Sequence, residues 1–524
     1  QMHLANEYGV DRLWIVNVGD IKPMELPTEF FLDYAWNPDA WPVERLGEYT
    51  RRWAAEQFGA EHADEIAEIL DAYTRYNARR KPELLSPETY SLTSYREAER
   101  VVAEYNDLLA TAERIGAELP AEYQDAYFEL VLHPVAACAN LNELYFTVAK
   151  NRLYAKQGRA ATNELAERAR ELFANDTRIS RRYNREIAGG KWNHMMDQTH
   201  IGYTNWQEPP MNSLPQVEEI TLPAAGAIGV AVEGSEEFWP QRGGELELPR
   251  FNAIDREQHY FELFNRGQST CDFVVSADAP WLQLAPVPSD DEEEGRLHQE
   301  QRYWVSVDWE NAPAGTHRVP ITVTGSDGAE AKIVAVVDSN AASIPKEFRG
   351  HVETGGVVSI EAEHFSDAVG ATPIEWQIVP GLGRTLSGVM PSPVTARSQT
   401  PGGASPHLEY RVLLSHAGPV HVQAFVSPTL NFQNDAGRRY AISFDDQPPQ
   451  VVNIHAGENL QVWEKWVADN INVTASAHEL QTPGEHTLKF WMVDPGVVLQ
   501  KLVIDAGGLK PSYLGPPEST RLAP

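Results

Sequence analysis

The hydrophobic period changes several times along the chain, and each change marks a boundary. Residues 1–9 read as the end of an amphipathic helix closed by Gly9. Leu13–Val18 (Leu-Trp-Ile-Val-Asn-Val) then runs almost continuously apolar, which predicts a strand buried on both faces. It breaks into Gly19-Asp20-Ile21-Lys22-Pro23-Met24-Glu25. In α/β proteins the carboxyl end of such a strand is where polar groups meet a ligand. A short helix over Thr28–Asn37 follows, stopped by Pro38. One strand between two helices cannot close a sheet, so residues 1–40 read as the remnant of a larger α/β unit.

Residues 41–212 change to helical spacing. Pro42 opens a helix with Val43, Leu46, Tyr49 and Trp53 on one face, and Gly59 ends it. A second places Ile66, Ile69, Leu70 and Tyr73 together and ends in Arg79-Arg80-Lys81, cations that suit a helix C-terminus. Ser94-Tyr95-Arg96-Glu97 has the form of a capping box, and Ala98 to Ile115 keep a three-four apolar spacing behind it. A long helix from Ala121 towards Lys156 is expected to kink at Pro134. Further helices are expected over about 159–173 and 177–187. Short links between them predict a bundle, with Tyr105, Tyr123, Tyr127, Tyr145 and Tyr154 in its core.

Residues 189–212 carry no period. His194, Asp197, His200, two tryptophans and several amides crowd one loop. The histidine spacing fits no tight metal pattern, so His194, Asp197 and His200 read as braces of a domain junction in preference to ligands.

From 213 to 340 the period becomes two. Strands are expected at His259–Asn265, Cys271–Ser276, Tyr303–Trp309, His317–Thr324 and Lys332–Val337, which suits an immunoglobulin-like sandwich. The acidic run 290–294 between them lacks the spacing of a calcium loop and reads as solvated. After a linker at 340–349, residues 350–524 give a second set of strands: Val357–Phe365, Glu409–Leu414, Gly418–Val426, Arg439–Phe444, Gln450–Ile454, His486–Met492 and Val498–Asp505. These suit a jelly-roll sandwich. Loops over 427–437 and 457–470 lie between them, the second holding Trp463 and Trp466. Two tryptophans three apart suit a sugar platform, a subunit contact or plain packing.

Charge narrows the partners. The 524 residues carry 75 acidic and 43 basic side chains, a net charge of −32. Phosphate backbones and anionic membranes select the opposite sign, so nucleic acid and membrane surfaces are excluded as partners. Two cysteines, Cys138 and Cys271, are too few for a disulfide framework or a cysteine zinc site and read as separate buried thiols. No run reaches the roughly 18 to 20 apolar residues of a membrane span, and Gln1-Met2-His3-Leu4-Ala5-Asn6 has no signal-peptide form.

Tyr8 to Glu25, continuing through Phe31-Leu32-Asp33-Tyr34-Ala35-Trp36-Asn37-Pro38, resembles glycoside hydrolase family 115, and so does Gly190-Lys191-Trp192-Asn193-His194-Met195-Met196-Asp197-Gln198-Thr199-His200-Ile201-Gly202-Tyr203. The resemblance implies a xylan α-1,2-glucuronidase that removes (4-O-methyl)glucuronic acid from glucuronoxylan with inversion. It implies the order TIM barrel, helical bundle and β domains, so that 1–40 is the C-terminal end of a (β/α)8 catalytic barrel. The fold class expected is multidomain α+β: barrel remnant, α-helical bundle, then two β-sandwich domains. On this reading the chain is a partial sequence, inactive alone. Any secretion signal, and with it an extracellular or periplasmic address, would belong to a preceding segment. The opening Ile360-Glu361-Ala362-Glu363-His364-Phe365 is similar to that of carbohydrate-binding modules in which glutamates help hold a structural calcium. Glu361 and Glu363 are therefore calcium candidates, and no cofactor is required for the reaction.

Inverting hydrolysis needs an acid and a base on carboxyls about 6.5–9.5 Å apart. Asp20 and Glu25 are the candidates nearest the strand end. Asn17 is the expected contact to the glucuronic acid, and Lys22 suits its carboxylate. Trp463 and Trp466 complete the substrate-binding candidates. A structural ion-pair cluster of Asp20, Lys22 and Glu25 is the competing reading. For the whole chain the competitor is a non-catalytic xylan-binding or dimerisation fragment; the family resemblance implies a homodimer.

Overall fold

The computed structural model describes residues 2–19, 21–42, 45–203, 210–288, 295–326, 328–339 and 344–522. Asp20 and the acidic run 290–294 lie outside the described residues. Helix α1 spans Met2–Glu7 and Gly9 follows at φ 81°, a left-handed turn that glycine makes without strain. The strand expected over Leu13–Val18 is not formed. Leu13 is 73% and Ile15 87% exposed, because among the described residues no neighbouring strand offers this segment a hydrogen-bond ladder. Helix α2, Glu25–Trp36, begins three residues earlier than Thr28. Trp14 packs on its inner face, ring centroid 5.9 Å from that of Tyr34.

The bundle follows as α3 (Leu46–Phe58), α4 (Ala63–Arg79), α5 (Glu97–Glu118), α6 (Gln124–Tyr127), α7 (His133–Gln157) and α8 (Thr162–Arg181). Its sequence tyrosines are core: Tyr105, Tyr127, Tyr145 and Tyr154 are buried, and Tyr123 packs against the same cluster as Tyr127. The two helices expected over 159–187 are one, α8, continued by a π-helical turn at Arg182–Glu186. Another π-turn, Phe128–Leu132, joins α6 to α7 just before Pro134. Proline lacks the N–H and crowds the preceding turn, and the wider π-turn absorbs both.

The capping box is not made. Arg96, at the start of α5, is left-handed and caps nothing with its side chain. Glu97 instead turns away and is fully buried, its carboxylate accepting from the N–H groups of Ser91 (2.8 Å), Tyr513 (3.0 Å) and Leu514 (2.6 Å). The C-terminal tail of the last domain thereby lies on the first helices of the bundle.

The middle domain is a sandwich. One sheet has the order Phe238–Trp239, Ile228–Val232, His259–Asn265, Glu300–Val307, Leu282–Pro286; the other has Glu245–Glu247, Glu330–Asp338, Thr316–Gly325, Cys271–Ala277, Arg296–Leu297. The expected strands are all present, with ends shifted by a few residues. Its junction with the bundle is ionic. Arg159, 2% exposed, is 2.7 Å from Glu262 and lies over the rings of Tyr154 and Phe264. Arg302 bridges Glu262 and Glu99 at 2.7 Å each.

The last domain is a second sandwich, built round Val358, Leu408, Tyr410, Val422, Ile442 and Leu502. Gly418–Val426 and Arg439–Phe444 form as expected. Asn472–Leu480, whose exposed face is Val, Ala and Glu without a clean alternation, is an edge strand that the pattern did not reveal. The 457–470 segment is largely a helix, α9 (Leu460–Asp469), where a loop was expected. Asn459 Oδ1 caps it by accepting from the Val462 N–H at 3.1 Å, and left-handed Asn470 ends it.

Neither cysteine is in a disulfide and both are buried, and burial pushes Cys138 up to about 12. Neither should react with a thiol reagent in the native chain, whereas both should react after unfolding in guanidinium; fast labelling of native Cys138 contradicts this packing. Burial alone would raise the Glu262 carboxyl, but Arg159 and Arg302 hold it well below its usual value. A depressed carboxyl contributes stability above its unfolded pKa and loses it as pH falls through the folded one. Glu262→Gln should therefore destabilise the chain by about 3 kcal/mol at neutral pH, since it takes the nearer of two carboxylates from buried Arg159 and leaves only Glu300, at 3.3 Å. Urea unfolding should show the difference from wild type shrinking progressively below about pH 4.

Candidate functional site

The π-turn at Phe128–Leu132 swings Glu129 off the regular helical face into the protein, where it is 5% exposed. The other π-turn, at Arg182–Glu186, presents the fully buried Tyr183 to the same place. Widened turns of this kind often mark functional positions. The polar segment after residue 19 supplies the third side. Lys22 Nζ is 2.7 Å from Glu129 Oε1, pairs with Glu25 Oε1, and lies 4.3 Å from the centre of the Trp192 ring. Lys22 is thus held by two carboxylates and an aromatic face.

Electrostatics set what this cluster can do. Two carboxylates share one ammonium, leaving an excess of one negative charge in a half-buried site when both are ionised. Glu129 is raised above the ordinary range, by burial first and by the neighbouring Glu25 charge, with Lys22 opposing. Lys22 is raised despite burial, because Glu129 and Glu25 both favour its charged form. Tyr183 is raised as well, by burial and then by Glu129. His133 packs edge-on to the Tyr183 ring at 4.7 Å, and burial lowers it to about 4, so it is neutral. A carboxyl that keeps its proton more readily than usual, beside a second carboxyl and a lysine, can hand a proton to an oxygen.

The sequence candidates are distributed unevenly. Lys22 and Glu25 come together in the cluster. Asn17 does not: it is exposed, and its Oδ1 accepts from the Gly19 N–H at 3.0 Å, shaping the turn. Glu129 and Tyr183 were missed. The signal for Glu129 was a lone acid inside the apolar run Tyr127-Phe128-Glu129-Leu130-Val131-Leu132.

The loop over 189–203 closes the cluster through Trp192, Met195 and Met196, which pack on Phe128, Tyr183 and Ile187. His194 Nδ1 is 2.5 Å from Asp197 Oδ2, whose other oxygen accepts from Asn184 Nδ2 at 2.7 Å. His200 Nε2 is 2.8 Å from Asp176. Burial alone would lower His200, but Asp176 raises it. These groups bond each other and hold the loop, as the spacing suggested.

Trp463 and Trp466 lie on α9, half-buried, with rings 6.3 Å apart at 78°. Rings at that angle do not make one flat platform. Trp466 also packs on His455, and α9 docks on the bundle through Asp469–Arg80 at 2.5 Å. At the calcium candidates, Glu361 Oε1 is 3.1 Å from Lys501 Nζ and Oε2 accepts from Thr385 Oγ1 at 2.9 Å. The Lys501 ammonium, 3% exposed, already neutralises this carboxylate, so the residues present do not fit a calcium ion at Glu361. Glu363 lies 3.9 Å from His364 Nε2.

Comparisons with known proteins bear on both ends of the chain. The model of Glycosyl hydrolase family 115 matches residues 1–84, and that of the Glycosyl hydrolase family 115 C-terminal domain matches 350–518. No curated protein matches. Among solved structures, a family GH115 4-O-methyl-alpha-glucuronidase with specificity for decorated arabinogalactans superposes with a TM-score of 0.58 at 17% identity, covering 96% of this chain and 47% of that one. The chain thus spans about half the length of that relative, and the likeness is one of fold. A family 35 carbohydrate binding module from Clostridium thermocellum matches at 17% identity and a TM-score of 0.21, over 28% of this chain and 98% of its own. The C-terminal CBM6 of LamC, a marine laminarinase from Zobellia galactanivorans, matches at 12% and 0.20, over 28% and 98%. With family models matching at its start and over its last domain, and a family member's fold underlying nearly all of it, the chain belongs to glycosyl hydrolase family 115.

Proposed function

We propose that the chain is part of an α-glucuronidase that removes α-1,2-linked (4-O-methyl)glucuronic acid from glucuronoxylan by an inverting two-carboxylate reaction. The Lys22–Glu25–Glu129 cluster under Trp192 is the observation that carries this reading. A uronate needs a cation to meet its carboxylate, and a leaving glycosidic oxygen needs a carboxyl that retains its proton. Lys22 and Glu129 have those properties. Glu25 holds Lys22 in place. Asp20 and Asn17 stay in the proposal as groups of the same segment. The proposal assigns the remaining acid–base partner to other strands of a (β/α)8 barrel. The proposal includes residues 1–40 as the end of that barrel, secretion beyond the cytoplasmic membrane, and a homodimer.

The solved relative's specificity makes decorated arabinogalactan the rival glycan. The full-length protein should release 4-O-methylglucuronic acid from glucuronoxylan, read by anion-exchange chromatography. Release from arabinogalactan alone would move the substrate; release from neither would end the glucuronidase reading. Residues 1–524 alone should release nothing. In the full-length protein, Lys22→Met should lower kcat/KM by about tenfold or more, the value of a charge-assisted contact. Unchanged kcat/KM would make the cluster a structural brace.

A further inference from the structure

The tail of the last domain returns to that domain's start and gathers residues far apart in sequence. His351 lies on the strand Gly350–Val352, His364 just past the strand Val357–Glu361, and Glu518 on the tail. One ligand atom from each lies within 4.8 Å of the others. His351 Nε2 is 3.0 Å from Glu518 Oε1. His364 Nδ1 is 2.7 Å from Oε1 and 2.9 Å from Oε2. His351 is 1% exposed, whereas His364 and Glu518 are half-buried.

Simple hydrogen bonding leaves this arrangement crowded. Glu518 Oε1 is approached by both imidazoles and also by the Glu361 N–H at 3.2 Å. A carboxylate oxygen offers about two lone-pair sites. Both imidazoles and a backbone N–H converge on this one oxygen, and His364 reaches Oε2 as well, so the three side chains present their ligand atoms to one point.

We propose that His351, His364 and Glu518 form a site for a transition-metal dication of the zinc class. Two imidazoles and a carboxylate are a zinc donor set, while calcium and magnesium take oxygen ligands. Tetrahedral bonds of about 2.0–2.2 Å set ligand atoms roughly 3.3 Å apart. The two nitrogen–oxygen separations, 3.0 and 2.7 Å, reach that by opening by about half an ångström or less. His351 binds through Nε2 and His364 through Nδ1. The free Nε2 of His364 faces Glu363 Oε1 at 3.9 Å, the outer carboxylate that typically orients a ligating imidazole. The fourth position falls to Glu518 Oε2 or to water on the half-exposed side. The site is separate from Glu361, which is engaged by Lys501. The metal would fasten the tail to two strands, a clip between residues 167 positions apart.

The test uses chain 1–524, stripped with a chelator and dialysed at about pH 7.5, where free imidazole is neutral. Zinc chloride titration by calorimetry and metal analysis after dialysis should show tight, retained zinc, with no heat from calcium chloride. His364→Gln and Glu518→Gln should each lower zinc affinity by about tenfold or more. His364 is half-exposed, and circular dichroism verifies that both variants fold. Equal zinc retention by wild type and His364→Gln, or none by wild type, would reduce the three residues to an ionic brace and overturn the proposal.

Discussion

Glu97 is a buried carboxylate whose hydrogen bonds run to the backbone. Its oxygens take three N–H groups, one from its own connecting loop and two from the tail more than 400 residues later. A buried charge needs such donors, or it costs several kcal/mol. The tail likewise needs acceptors for N–H groups it cannot place in a sheet. Each requirement is met by the other, and the last domain is seated on the bundle as a result. Tyr513 adds to the same contact by donating its hydroxyl proton to the Arg79 carbonyl at 2.9 Å, and Arg80 reaches Asp469 on α9. The middle domain is seated by a similar rule, with Arg159 and Arg302 sharing Glu262.

The strands and helices with one clean period were legible in the sequence. His259–Asn265 and Gly418–Val426 alternate or run apolar between turn residues, and they form where expected. Failures occur where a segment's partner is distant. Leu13–Val18 has strand composition but no ladder among the described residues, so composition could not decide its state. Glu97 had the spacing of a local cap, yet its acceptors were claimed by Tyr513 and Leu514. Local pattern cannot weigh a competitor so far along the chain. Residues 457–470 read as a loop because charged side chains hid the helical face that Val462, Trp463 and Trp466 present to their neighbours.

The site was legible by half. Lys22 and Glu25 sit in one polar segment, where chemistry was expected. Glu129 and Tyr183 lie on different helices, each displaced by a π-turn that no spacing rule foresees. The Pro134 expectation came close: the backbone does depart from the α-helix there, but by widening before the proline. That widening turns Glu129 towards Lys22.

The return of the C-terminal tail also changes how freely the last domain can turn. A binding module on a flexible tether samples many orientations, and its contribution depends on tether length. Here the last domain is held on the bundle at two places, at Tyr513–Leu514 on Glu97 of α5 and at Asp469 on Arg80. Its bearing relative to the Lys22 cluster is therefore a fixed angle.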